Sequence, residues 1–296
     1  MAFYELTLQV SKQQSQELDE ALTEVGAVGV TYVDGKDSPI YEPRPGEMPL
    51  WNHIKLIGLF DDKSLLEAAS EQLANKYPTL QQQKTKLKDQ VWERVWMDHF
   101  KPTQFGHNSW VIPDGFDVVD ESAVNLLLDP GLAFGTGTHE TTSLCLQWLD
   151  QHDVKGKELV DFGCGSGILA VMALLHGASQ VICVDIDEQA IQATWQNAKK
   201  NGVEDGIVVV NPENVETINN QDGILANILA EPLMMFCEDF KKMLKPDGFV
   251  VLSGILKSQK NMISEKYAQH FVDIETEIDQ DWVRVESRKG SSSRIS

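Results

Sequence analysis

The sequence contains no apolar run approaching the ~20 residues that a membrane-spanning helix needs. Its N-terminus, Met-Ala-Phe-Tyr-Glu-Leu, alternates like a strand and lacks the apolar core of a secretion signal. Cysteine is scarce. The four thiols, Cys145, Cys164, Cys183 and Cys237, have no metal-type spacing, and each sits in an apolar or glycine-rich run. They read as free core thiols of a reducing compartment, with neither a disulfide framework nor a metal site. Positive charge is also scarce, with 25 Lys and Arg against 45 Asp and Glu, a net charge of −20. A nucleic-acid duplex is a dense row of phosphates, so this chain is a poor general nucleic-acid binder. An acidic surface instead attracts a basic protein or a cationic ligand. The expectation is a cytoplasmic protein, without membrane or nucleic-acid partners, acting as a monomer.

What is present is ordinary globular material. Apolar residues make up 42% and charged residues 24% of 296 positions, enough for sizeable cores in two domains. Residues 3–10 alternate as a strand. Ser11 is placed to cap a helix with Leu18, Ala21, Leu22 and Val25 on one face and Gly26 after its end. A strand over Val28–Val33 follows, and a long loop over 34–51 holds four prolines and two glycines. Residues 53–60 alternate again. Asp61 or Asp62 can cap a helix carrying Leu65, Leu66, Ala69 and Leu73, and the polar stretch 79–88 suits an edge strand. The order βαββαβ predicts a split-βαβ, ferredoxin-like α+β domain over 1–88. Nothing in it looks catalytic, so it reads as a binding domain. Residues 89–101 form a predicted linker helix, with Trp92, Val95, Trp96, His99 and Phe100 on one face and Pro102 at its end.

From residue 124 short apolar runs alternate with helical patterns: 124–128, 158–162, 180–184, 206–210, 223–227 and 248–253. Such strands separated by helices signal a parallel sheet in an α/β domain, here 102–287. Asp187 is placed to cap a helix through Ala198 that Gly202 closes. Two further strand-like runs, 271–277 and 282–287, finish the sheet, and 288–296 reads as a disordered tail.

Four motifs carry chemistry. In Asp161-Phe162-Gly163-Cys164-Gly165-Ser166-Gly167 an apolar strand enters a glycine-rich turn and an apolar helix follows, the nucleotide-binding position of an open α/β sheet. Gly165-Ser166-Gly167-Ile168-Leu169-Ala170 fits the dinucleotide pattern. The same stretch also reads D-x-G-x-G-x-G, the form seen in adenosylmethionine enzymes. Asp185 ends the next strand, where a carboxylate can accept from both ribose hydroxyls of either ligand. Asn227-Ile228-Leu229-Ala230 ends a later strand, at the place of the (Asn/Asp)-Pro-Pro-Tyr motif of amino-group methyltransferases. An Asn carbonyl and a neighbouring backbone carbonyl there can accept hydrogen bonds from a substrate nitrogen. The fourth motif, Asp129-Pro130-Gly131-Leu132-Ala133-Phe134-Gly135-Thr136-Gly137-Thr138-His139, is a permissive loop running into a polar helix start. His139 by itself reads as a helix cap before it reads as a base.

Together, Asp129–His139, Asp161–Gly167 and Asn227–Ala230 resemble the PrmA family, methyltransferases of the large-subunit ribosomal protein L11. The resemblance extends to Gly26-Ala27-Val28 and Trp92-Glu93-Arg94. It implies a seven-stranded class I (Rossmann-like) methyltransferase sheet and S-adenosylmethionine as donor. It also implies trimethylation of lysine side chains and of the N-terminal amine, and an N-terminal substrate-recognition domain moving on a linker. Carried over by motif, Thr142, Gly163, Asp185 and Asn227 bind the donor, with Gly165 in the same turn, and Asn227 orients the nucleophile. No metal is implied. Glu140 stands where the family pattern has proline in Thr-His-Pro-Thr-Thr, and Glu231 follows Asn-Ile-Leu-Ala where a small residue is commoner. Both add negative charge near the site. The residues themselves leave two other readings: a nicotinamide-dependent oxidoreductase, and a non-catalytic adenosylmethionine-binding module.

Overall fold

The computed structural model describes residues 3–36, 49–87, 101–128 and 139–290. The expected linker helix (except Lys101) and the motif residues 129–138 lie outside these. The chain divides into two compact units, Met1–Trp96 and Met97–Ser296.

The first unit runs β1 (Tyr4–Ser11), α1 (Ser15–Glu24), β2 (Gly29–Asp34), β3 (His53–Phe60), α2 (Lys63–Lys76) and β4 (Gln81–Lys86). Its sheet has the order β2-β3-β1-β4 with antiparallel pairing throughout, so β3 is inserted between the two strands that α1 connects. Period-two alternation sends Leu6, Leu8 and Val10 of β1, with Ile54, Leu56 and Phe60 of β3, to the face carrying Leu18 and Leu22 of α1 and Leu66 and Leu73 of α2. Asp62 caps α2, accepting from the N–H groups of Ser64 and Leu65. Ser11 does not cap α1. It is the last residue of β1, paired with His53, and its hydroxyl bonds to Gln14, the residue before the first helical turn.

The second unit begins with β5 (Thr103–Phe105), β6 (Ser109–Pro113) and β7 (Val124–Leu128). These form a separate three-stranded sheet. The expectation that 124–128 joins the main parallel sheet is therefore corrected. The strand pairs in parallel with β6, and its backbone at Leu127 is taken up by the Asn201 side chain, which donates to the carbonyl and accepts from the N–H, both at 2.8 Å.

The main sheet is built from α3 (Glu140–Gln151), β8 (Glu158–Phe162), α4 (Ile168–Leu175), β9 (Gln180–Val184), α5 (Glu188–Lys200), β10 (Ile207–Val209), β11 (Gln221–Asn227), α6 (Ala230–Met243), β12 (Leu244–Leu256), α7 (Lys260–Ala268), β13 (Val272–Asp279) and β14 (Trp282–Arg288). Its order is β10-β9-β8-β11-β12-β14-β13. The first five strands in that row pair in parallel, while β14 runs antiparallel to both β12 and β13. Strands buried on both faces read as continuous apolar runs, because successive side chains enter different cores. Leu159, Val181, Cys183, Leu225 and Val251 pack on one side with Leu169 and Val171 of α4. Val160, Phe162, Ile182, Val184, Ile224 and Leu252 pack on the other with Leu233 and Phe240 of α6.

All four cysteines are buried and free. Burial pushes the Cys145 thiol up to about 12, which keeps it protonated and inert as a nucleophile. The tail expected from 288 loses its first residues to the fold. Arg288 ends β14, and Lys289 bonds through its N–H to the Gly248 carbonyl and through Nζ to the Leu244 carbonyl. Residues 291–296 lie outside the described set. Among the described residues no helix is long and apolar enough to cross a membrane.

Candidate active site

The sheet order reverses at β8, which has β9 on one side and β11 on the other. Chain connections leave such a point in opposite directions, and a crevice opens beyond the strands' C-terminal ends. Of the predicted site residues, Gly163, Gly165, Asp185 and Asn227 lie at these ends or in the adjoining turns, and Thr142, in the first turn of a helix, is joined to them through Asn227.

The turn after β8 has left-handed φ at Gly163 (+78°), Gly165 (+54°) and Gly167 (+76°). At Gly163 a side chain is excluded on two counts, since a Cβ there would also land on Cγ2 of Ile228. The Gly163 and Cys164 N–H groups both donate to the Val184 carbonyl, at 2.7 and 3.1 Å, which ties the turn to the end of β9. Asp185 follows. Its Oδ2 accepts from the Gly165 N–H at 2.9 Å and its Oδ1 from the Asp187 N–H at 3.0 Å. The helix cap on α5 is Asp187, through the Gln189 N–H, so Asp185 is spared that duty. Each Asp185 oxygen retains acceptor capacity. The next side chain, Ile186, is 92% exposed, an unusual position for an isoleucine.

Asp161, first in the glycine motif, is fully buried at the end of β8 and accepts from the Ala170 N–H at 3.0 Å. Burial, with a smaller contribution from the nearby Asp185 charge, raises its carboxyl to about 7.

On the other flank, Asn227 ends β11 and its amide donates to Thr142 Oγ1 at 3.1 Å. This contact joins two predicted site residues separated by 85 positions. Thr142 lies in the first turn of α3, where His139 is the cap, accepting from the Thr141 N–H. That is the role expected of His139 taken by itself. Its ring also meets the edge of Trp282 at 5.0 Å. Glu140 accepts from Gln280 at 3.1 Å and sits at a helix N-terminus, where a carboxylate is favoured. Glu231 occupies the corresponding first turn of α6 and is exposed.

Four contributors escaped the sequence reading. Ser253, paired with Asn227 in the β11–β12 register and fully buried, donates to the Thr141 carbonyl at 2.9 Å, pinning the start of α3 across the sheet end. Gly254 has φ +80°, and a Cβ there would strike the Ile228 carbonyl group. Thr194 and Asn197 of α5 hold carbonyls of the glycine turn, at 3.1 and 2.9 Å. The signal for these two was available, as polar residues three apart on the buried face of a helix.

A switch-point crevice with a glycine turn, a strand-end carboxylate and a strand-end amide, in a seven-stranded sheet whose last strand is reversed, defines a class I methyltransferase. Comparison with known proteins narrows this. Residues 2–290 match the family described as Ribosomal protein L11 methyltransferase (PrmA). Curated relatives called ribosomal protein L11 methyltransferase include that of Alteromonas mediterranea, 45% identical over 98% of this chain and 100% of its own. That of Escherichia coli (strain SMS-3-5 / SECEC) is 44% identical over the same shares. The crystal structure of a ribosomal protein L11 methylase from Lactobacillus delbrueckii subsp. bulgaricus superposes with a TM-score of 0.60 at 29% identity, covering 64% of this chain and all of the other. The chain belongs to the PrmA family of S-adenosylmethionine-dependent protein methyltransferases. The oxidoreductase and non-catalytic readings fall with that result.

Proposed function

We propose that this crevice binds S-adenosylmethionine and methylates lysine side chains and the N-terminal amine of ribosomal protein L11. The observation that carries the reading is the arrangement of Asp185 and Asn227 on opposite flanks of the Gly163 turn. The residues fit the donor. Asp185 has acceptor capacity for both ribose hydroxyls, and the exposed Ile186 suits the face of a purine. Gly163 and Gly165 form the floor, and Thr142 with Asn227 bound the end nearest the acceptor. When bound, the donor supplies an electrophilic methyl group on a sulfonium.

The chain's own task is to deliver a neutral amine in line with that methyl. A free lysine has a pKa near ~10.4, so deprotonation at pH 7 costs roughly 4.6 kcal/mol. Partial burial beside a positive charge lowers that cost. With its amide N–H given to Thr142, Asn227 keeps its carbonyl oxygen as an acceptor for the amine, and contributes chiefly orientation. Water takes the released proton. The net charge of −20 suits a basic protein substrate.

In this reading residues 1–88 recognise the substrate protein, 89–101 link the units, and 102–287 carry the chemistry. The enzyme acts as a cytoplasmic monomer without direct nucleic-acid contacts. The test is mass spectrometry of purified L11 incubated with enzyme and donor, beside the same reaction with residues 102–296 alone. Whole-methyl increments on lysines and the N-terminus are expected with the full chain and greatly reduced with the fragment. Unmodified L11 refutes the substrate, and full efficiency of the fragment refutes the recognition role.

A further inference from the structure

The glycine turn is held from its carbonyl side. Three successive carbonyls are held: Cys164 by the Gly167 N–H at 2.8 Å, Gly165 by the Thr194 hydroxyl at 3.1 Å, and Ser166 by the Asn197 amide at 2.9 Å. Two of the three donors are side chains of α5, one helical turn apart and both buried, with Thr194 at 0% and Asn197 at 1% exposure. Buried polar side chains are costly unless bonded, so such a pair on the core face of a helix has a specific task. The Thr194 hydroxyl also lies 3.4 Å from the Cys164 sulfur. It has one proton to give, and a carbonyl is the stronger acceptor.

We propose that Thr194 and Asn197 are positioning residues for the donor: by drawing the Gly165 and Ser166 carbonyls toward α5, they keep the backbone of the turn oriented to receive it. The physical reason is conformational. Left-handed φ at Gly163, Gly165 and Gly167 marks a backbone that glycine leaves many states to choose from, and carbonyls fixed on α5 hold the turn in one of them, so that the donor meets a formed surface without the cost of ordering it. On the far side of the same turn, the Gly165 N–H is fixed by Asp185. The Gly165 residue is thus held through both its polar groups, one by α5 and one by the proposed ribose ligand. The inference rests on the placement of the donor in this crevice.

A pure packing role makes the opposite prediction for conservative variants. The methyl of Thr194 lies where a Cβ on Gly167 would meet it, so Thr194 also fills space against the turn. Thr194→Val keeps the shape and loses the hydroxyl, whereas Thr194→Ser keeps the hydroxyl and loses the methyl. Donor affinity of the full chain is measured by titration calorimetry with S-adenosylmethionine, and kinetics with L11 as acceptor. Positioning predicts about ten-fold weaker donor binding for Thr194→Val and a change within about two-fold for Thr194→Ser, a raised donor KM, and an unchanged acceptor KM. Asn197→Ala is expected to weaken the donor about five-fold, and decides the matter if Thr194→Val does not fold. Donor affinity unchanged in Thr194→Val, or lower in Thr194→Ser than in Thr194→Val, overturns the proposal. Asp185→Ala is run alongside. If it binds the donor normally, the crevice assignment itself fails, a different outcome from failure of the positioning role alone.

Discussion

Replacing Asp161 by Asn should change how the stability of the catalytic unit depends on pH. The wild-type carboxyl is buried, has one backbone N–H at 3.0 Å, and forms no ion pair among the described residues. Its folded pKa is about 7 against an ordinary value of 3.8. A carboxyl raised in this way keeps its proton in the folded chain while the unfolded chain releases it. Stability from this group is therefore fully present below pH ~4, falls as pH rises toward 7, and levels off above. A shift of about 3 units at ~1.36 kcal/mol each sets an upper figure of about 4 kcal/mol, and relaxation around the charge brings the expected loss to about 2–4 kcal/mol. Asn cannot ionise. It keeps an acceptor for the Ala170 N–H, but its amide N–H groups need acceptors of their own, a cost of about 1–3 kcal/mol that does not vary with pH. The variant should thus be the less stable protein near pH 4 and gain on wild type by about 2–4 kcal/mol by pH 8. Urea unfolding of donor-free protein at half-unit intervals across this range, following the transition of the catalytic unit, measures it. Taking the difference cancels every other titrating group. Parallel curves would refute the reasoning, because they would mean that Asp161 ionises as a solvated carboxyl does.

The remaining expectations concern the crevice. Asp185→Ala removes charge-assisted acceptors worth about 1.5–3 kcal/mol, so calorimetry should find donor binding ten- to a hundred-fold weaker, roughly the same energy, in a protein that still folds. Gly254→Ala places a Cβ against the Ile228 carbonyl at φ +80°. The Asn227–Ile228 turn must then move, so the methyl-transfer rate should fall at least about ten-fold at saturating donor, since a small misplacement of an orienting group is enough for that. A rate equal to wild type would show that the turn tolerates displacement.

Much of this was legible because it is local. The strand–glycine turn–helix of 158–175 and the caps at Asp62 and Asp187 depend on neighbours within a few residues, and Asp185 is marked by its place at the end of an apolar strand run. Free, buried cysteines followed from their apolar surroundings. Failures occurred where distant partners decide. The strand Val124–Leu128 looks like a member of the main sheet, yet its edge is occupied by Asn201, 74 residues away. Ser253 and Gly254 look like ordinary strand residues until the β11–β12 register sets them beside Asn227 and Ile228. Ser11 has the right chemistry for a cap, but pairing with His53 extends β1 through it, leaving it outside the helix start. Thr194 falls at helical spacing from Ala190 and Ala198, and only the closed fold shows a carbonyl waiting opposite its hydroxyl.

The central claim is that Asn227 orients the acceptor amine. Its most direct test is single-turnover methyl transfer to L11 between pH 7 and 10 for wild type, Asn227→Ala and Asn227→Asp, at saturating donor and acceptor. Orientation matters most in the transition state, so Asn227→Ala should lose far more rate than donor affinity. Aspartate keeps an acceptor that the Thr142 hydroxyl can bond, but adds a charge that holds the lysine protonated. Asn227→Asp should therefore retain partial activity, with its pH optimum shifted upward. Equal rates for wild type and Asn227→Ala would contradict the account and leave Asn227 as a structural link between β11 and the start of α3.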